Sequence, residues 1–225
     1  MAKLILVPTP IGNLEDITLR ALRILKEADF ILAEDTRTSG QLLKHFAIEK
    51  QLRSFHSHNE HRVLDETIAL IQSSKTTALI SDAGTPGISD PGFLLVRECI
   101  ARGVEIETLP GPTAFVPALV NSGFPCNEFS FYGFLPQKKG RQTKWKELLA
   151  DTKTLILYES PYRLIKLLEE IGQNLGEERE VCVCRELSKM FEENKRGTVK
   201  EVLEYFKSKT IKGEIVVVIK GAYVS

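Results

Sequence analysis

The chain has 225 residues, enough for one large or two small domains, and its 43% hydrophobic content can build cores without disulfide or metal support. Its formal net charge is zero, which excludes a protein that coats nucleic acid through a long-range positive field and confines any RNA contact to local patches. No apolar run approaches the ~20 residues that span a bilayer, and the first residues carry no signal-peptide pattern, so no membrane association and a cytoplasmic location are expected.

In chain order, short β-branched runs alternate with longer amphipathic ones. Strands are predicted at 4–7, 30–33, 77–81 and 104–109, and helices at 18–26, 39–46, 61–71 and 93–102. This βαβ rhythm implies a mainly parallel sheet covered on both faces. Pro110-Gly-Pro112 interrupts the pattern, a short apolar helix follows at 113–120, and Asn121-Ser-Gly123 marks a turn. The domain boundary is placed there, giving an N-terminal α/β domain at 1–113 and a C-terminal α/β domain at 114–225. The second half reads as strands at 129–134, 154–158, 180–185 and 215–219, a basic helix before residue 148, and helices at 162–171 and 199–207. With fewer helices and mixed connections, its sheet is expected to be partly antiparallel.

The cysteines, Cys99, Cys126, Cys182 and Cys184, have neither paired zinc-knuckle spacing nor a secreted disulfide framework, and are read as reduced thiols. Cys182 and Cys184 are assigned to opposite faces of one strand, unable to share a metal. His56, His58 and His61 lack the carboxylate or cysteine partners of a metal cluster, so no metal is expected. The basic run Lys138, Lys139, Arg141, Lys144 and Lys146, with Trp145 among them, is either a solvated helix face or a local RNA patch. Lys189 and the Lys195-Arg196 pair could extend its rim.

The most informative stretch is Ser81-Asp-Ala-Gly-Thr-Pro-Gly-Ile-Ser-Asp-Pro-Gly92, between a strand and a helix. Ligands of open α/β sheets bind beyond the carboxyl ends of the strands, where glycines admit a close backbone approach. The stretch is neither a dinucleotide fingerprint nor a phosphate loop. Asp82 and Asp90 are acceptors only, which suits a sulfonium, an ammonium or a ribose hydroxyl better than a pyrophosphate. Two further loops, Val7-Pro-Thr-Pro-Ile-Gly-Asn13 and Leu109-Pro-Gly-Pro-Thr-Ala114, leave strands at the same edge, stiffened by proline. Three loops converging there would make a site.

With these loops, Ala33-Glu-Asp-Thr-Arg37, Ser54-Phe-His-Ser-His-Asn-Glu60, Tyr158-Glu-Ser-Pro161, Arg185-Glu-Leu-Ser-Lys189 and Lys212-Gly-Glu-Ile-Val216 occur in an order that resembles the tetrapyrrole methylase superfamily over nearly the whole chain. Gly84-Thr-Pro86 stands where tetrapyrrole-modifying members carry Gly-Asp-Pro, and Thr9-Pro-Ile-Gly12 is less glycine-rich than theirs, which favours the branch acting on small-subunit ribosomal RNA. The resemblance implies a two-domain α/β fold with a mainly parallel N-terminal sheet and a mixed C-terminal sheet. It implies a homodimer that binds S-adenosyl-L-methionine in a cleft between the domains and methylates the ribose 2′-hydroxyl of a cytidine in the decoding region of 16S ribosomal RNA, with naked RNA and the assembled subunit both open as the form of the substrate.

Carried over, the donor contacts would be Pro10, Ser81, Asp82, Gly84, Ile88, Thr113 and Ala114 from the first domain and Tyr158, Glu159, Leu187 and Glu214 from the second. Asp35, Glu34 and Glu186 are the candidates for a general base. Arg37, Lys138, Lys139, Arg141 and Lys189 are the candidates for RNA contact, though Arg37 could equally pair with Glu34 or Asp35. The rival readings are a methyltransferase acting on a corrin precursor and a non-catalytic nucleotide- or RNA-binding module.

Overall fold

The computed structural model describes residues 2–222, which divide by their contacts into two compact units with the break between Thr113 and Ala114. The first unit contains strands β1 (Lys3–Leu6), β2 (Phe30–Ala33), β3 (Leu52–Ser54), β4 (Thr76–Ile80) and β5 (Glu105–Thr108), and helices α1 (Leu19–Glu27), α2 (Thr36–His45), α3 (Glu60–Ser73) and α4 (Phe93–Ala101). The strands form one sheet in the order β3-β2-β4-β1-β5, every pair parallel.

The near-continuous apolar strands follow from burial on both faces. Successive side chains alternate, so Ile5, Val7, Ile31, Ala33, Ala78 and Ile80 pack with Leu25 of α1 and Leu43 of α2, while Leu4, Leu6, Phe30, Leu32 and Leu79 pack with Ile68 and Ile71 of α3 and Leu95 of α4. The first two helices thus cover one face and the next two the other. Because all strands run the same way, the segments following β1, β2, β4 and β5 leave from one edge.

The second unit contains α5 (Phe115–Ser122), β6 (Phe129–Phe134), α6 (Arg141–Ala150), β7 (Thr154–Glu159), α7 (Leu164–Leu175), β8 (Glu180–Arg185), β9 (Glu193–Thr198), α8 (Val199–Lys207) and β10 (Ile215–Ile219). Its sheet has the order β6-β7-β10-β8-β9. Only the β6–β7 pair is parallel; β7–β10, β10–β8 and β8–β9 are antiparallel. Leu155, Leu157, Val181, Val183, Val217 and Ile219 face α6, α7 and α8, contributing with Trp145, Leu168 and Phe206 to one core. Helix α5 packs on the strands β8 and β10.

Several expectations are corrected here. Cys182 and Cys184 share a face, as residues two apart on a strand must, and their Sγ atoms lie 3.6 Å apart in the core, where Cys184 also approaches the Ala118 carbonyl oxygen. Lys195 and Arg196, offered above as part of a basic rim, sit in β9; the Arg196 guanidinium donates to the Asn121 carbonyl oxygen and the Lys195 ammonium lies 4.8 Å from the centroid of the Tyr205 ring. Trp145 is a core side chain, 2% exposed. Ala114, assigned above to the first domain, begins the second unit.

Among the described residues no helix is long and apolar enough to cross a membrane.

Candidate active site

The loops after β1, β4 and β5 are locked together by backbone bonds, a side-chain hydroxyl and close packing. Thr9 and Gly84 exchange both N–H···O bonds at 2.9 Å, and the buried Thr9 hydroxyl donates to the Ser81 carbonyl oxygen at 3.1 Å. Gly84 holds φ at +79°, a conformation that side chains with a Cβ resist. The Thr85 hydroxyl donates to the Pro112 carbonyl oxygen at 3.0 Å, tying the second loop to the third. The third meets the first where Gly111 packs on Pro8 so closely that a Cβ on the glycine would lie 2.7 Å from the proline Cβ. The three loops expected at one edge are therefore one preformed surface.

The segment after β2 joins it. Asp35 caps α2 by accepting from the Arg37 backbone N–H at 2.8 Å, and its own N–H donates to Asp82 Oδ1 at 3.1 Å. Arg37 closes back on Asp35 through Nε and Nη2 at 3.1 and 2.7 Å, and of the two carboxylates Glu34 and Asp35 it is Asp35 that it pairs with, on an exposed side chain. The side-chain and backbone hydrogen bonds from Arg37 hold the Asp35 carboxyl down at about 2. Glu34 is different: burial first, then the charge of Asp82, raises its pKa above the ordinary carboxylate value. Asp82 is exposed as a residue, yet partial burial of its carboxyl also raises its pKa, helped by Asp35 and opposed by the hydrogen bond it accepts from the Asp35 N–H.

Between the β1 loop, the β4 loop and α2 lies a cavity of about 350 Å³. Thr9, Pro10, Gly12, Ser81 and Asp82 line it from the loops; Thr38, Ser39, Gln41, Leu42 and His45 line it from the helix. Of these, only Pro10, Ser81 and Asp82 are among the residues singled out from the sequence. The missed signal is the spacing of Thr38, Gln41, Leu42 and His45, which places them on one helix face.

The second-unit candidates gather at one edge of its sheet, because Ile215 pairs with both Glu159 and Arg185. Glu159, 3% exposed, accepts from the Ser160 N–H and from Arg163 Nε, both at 2.7 Å, and so shapes the turn after β7. The Tyr158 ring stands edge-on to Phe131 and Phe134. Leu187 is buried.

Glu186 and Glu214 exchange backbone and side-chain bonds: Glu186 N–H donates to the Glu214 carbonyl oxygen, and Glu214 N–H donates to Glu186 Oε1, each at 2.9 Å. Lys189 Nζ donates to Glu186 Oε1 at 2.8 Å and to Glu214 Oε2 at 2.7 Å. Gly213 is required beside them, since a Cβ there would collide with the Glu186 carboxyl. Burial opposes ionisation of Glu186, but the bonds from Lys189 and the Glu214 N–H lower its pKa, so it holds a proton poorly and is committed to this knot. Lys189, half-buried, is paired with both carboxylates.

Arg141 is also turned inward. It is 8% exposed, its Nε lies 3.0 Å from both Glu170 carboxyl oxygens, and its Nη1 donates to the Pro136 carbonyl oxygen at 2.9 Å. Lys138, Lys139 and Lys146 remain exposed. The donor set suits S-adenosyl-L-methionine: the Asp82 carboxylate for a cationic centre, and glycine-containing strand-end loops whose backbone a ligand can approach.

The fold and this edge-of-sheet site define a class of methyltransferase, and the chain belongs to it: the family described as Tetrapyrrole (Corrin/Porphyrin) Methylases matches residues 3–203. Within that family it is 46% identical over 221 residues to a Thermotoga maritima protein named Ribosomal RNA small subunit methyltransferase I, covering 98% of this chain and 99% of that one. A Hydrogenobaculum protein of the same name is 49% identical over 220 residues, covering 96% and 95%. Among solved structures, diphthine synthase superposes with a TM-score of 0.75 at 14% identity, covering 96% of this chain and 89% of that one, a likeness of fold alone.

Proposed function

We propose that this protein transfers a methyl group from S-adenosyl-L-methionine to the ribose 2′-hydroxyl of a cytidine in the decoding region of 16S ribosomal RNA. The observation that carries the reading is near-full-length identity of 46% and 49% with relatives named for small-subunit ribosomal RNA methylation. Gly84-Thr-Pro86 and Thr9-Pro-Ile-Gly12 support it over a corrin-precursor acceptor.

When bound, S-adenosyl-L-methionine supplies an electrophilic methyl on a sulfonium. Pro10, Ser81, Asp82, Gly84, Ile88 and Thr113 of the first unit would hold it, with Ala114, Tyr158, Glu159, Leu187 and Glu214 of the second. Asp82 supplies negative charge for a cationic centre while its Oδ1 fixes the start of α2. Of the three proposed bases, Glu34 is the choice: Asp35 is held ionised by Arg37 and Glu186 by its lysine, whereas the raised pKa of Glu34 favours accepting the proton that the 2′-hydroxyl releases. Lys138 and Lys139 are the proposed phosphate contacts. The working state in this reading is a cytoplasmic homodimer.

The test is transfer of radiolabelled methyl from S-adenosyl-L-methionine to small ribosomal subunits from cells lacking the gene, followed by mapping of the labelled nucleotide. Label on one cytidine ribose is expected. Label on a base, on another nucleotide or only on a tetrapyrrole overturns the reading, and donor binding with no transfer to any of these acceptors identifies a binding module.

A further inference from the structure

The cavity against α2 contains a polar atom that the fold itself leaves unsatisfied. Ser39 is 2% exposed and lines the cavity, yet its Oγ has no hydrogen-bond partner among the described residues. A buried hydroxyl without a partner is destabilising, because it has given up its water without a replacement bond. A ligand bond is one way to recover that cost.

The lining determines what kind of ligand fits. It contains no lysine or arginine, which disfavours phosphate. Pro10, Leu14 and Leu42 give apolar surface, while Thr38 and Gln41 on the helix bring hydroxyl and amide groups. The Gln41 amide offers a donor and an acceptor together, the pairing that reads the edge of a heterocycle. A volume of about 350 Å³ is that of a small-ligand pocket. Pro10, Ser81 and Asp82, proposed for the donor, form part of the same wall, so an occupant held against the α2 side would adjoin the donor, as an acceptor must.

We propose that this cavity seats the base of the acceptor nucleotide, turned out of its stack, with Gln41 and Ser39 reading its polar edge. Enzymes that do chemistry on a base extrude the target nucleotide into such a pocket, and the same extrusion would bring its ribose 2′-hydroxyl to the donor methyl. The inference rests on the ribosomal RNA reading and adds a base-recognition site to it.

Gln41→Ala and Ser39→Val test it, measured for S-adenosyl-L-methionine affinity by calorimetry and for methyl transfer to small subunits reconstituted with cytidine or uridine at the mapped position. Expected are a donor Kd within about twofold of the unsubstituted protein, kcat/KM on cytidine subunits lowered roughly 10- to 100-fold, and a narrower preference for cytidine over uridine. Should Ser39→Val fail to fold, Gln41→Ala, at an exposed position, carries the test alone. A matching loss of donor affinity assigns the cavity to the donor and overturns the inference, as does unchanged kcat/KM with unchanged base preference. Absence of transfer by the unsubstituted protein overturns the ribosomal RNA reading as well; transfer by it with indifferent variants overturns only this inference.

Discussion

Glu34 and Asp35 are adjacent carboxylates at the end of one strand, and their surroundings drive them apart. Asp35 accepts from Arg37 and from the helix it caps, which stabilises its charge; Glu34 is partly buried near the charge of Asp82, which destabilises its charge. A base must be deprotonated to act, so activity should decline as pH falls through a value above the ordinary carboxylate pKa. Glu34→Gln should lower kcat by about 10²- to 10⁴-fold, leave donor affinity unchanged and abolish that acid limb, as a kcat–pH profile would show. Asp82→Ala should weaken donor binding, since it removes the carboxylate proposed to face the cationic centre and frees the Asp35 N–H; calorimetry gives the readout. Gly111→Ala should push the β5 loop off Pro8 and reduce the methyl-transfer rate by up to about 10²-fold without unfolding the sheet, a change that steady-state kinetics and thermal melting separate.

At the scale of elements, the edge strand β9 is fastened by side chains rather than by apolar burial. Glu193 accepts from Lys209 at 2.7 Å, from Arg185 Nε at 3.1 Å and from the Tyr205 hydroxyl, joining β8, β9 and the end of α8. Burial works against its charge, but these bonds prevail and hold its pKa at about 2, below an ordinary value of 4.5. A depressed pKa contributes stability above the unfolded value and loses it as pH falls from about 4.5 toward 2. Glu193→Gln should therefore cost roughly 1–3 kcal/mol at pH 7 and progressively less below pH 4.5, measured by urea unfolding at both ends of that window.

The same strand shows where sequence reading stops. Alternating or continuous apolar residues mark β1, β2, β4, β7, β8 and β10, all close to their predicted bounds. Glu-Asn-Lys-Arg-Gly-Thr198 of β9 and Leu-Arg-Ser54 of β3 carry no such pattern, because these edge strands bury none of their residues fully and so need no apolar face. Arg141 was hidden for another reason: its neighbours in sequence are basic and exposed, while the carboxylate that buries it lies 29 residues away on α7. The three loops could be placed at one edge from strand polarity, but the Thr9–Gly84 lock depends on Thr9, a residue with no chemical signature of its own.

For the whole molecule, neutrality limits how RNA is held. With a formal net charge of zero, the proposed attraction falls to exposed lysines such as Lys138 and Lys139, because Arg141 is paired with Glu170 and Lys189 with Glu186 and Glu214. Replacing Lys138 and Lys139 by alanine should raise KM for the ribosomal substrate with kcat little changed. It should also reduce the slope of log affinity against log salt by about 1–2, as binding titrations across a salt series would reveal.

The cross-braced loops also carry a calorimetric consequence. A ligand that meets a surface already fixed by Thr9, Gly84, Thr85 and Gly111 need not freeze a coil, so its binding avoids the entropy of ordering those segments. The heat-capacity change on donor binding should then match the apolar area covered by one small molecule, with no added contribution from coupled folding.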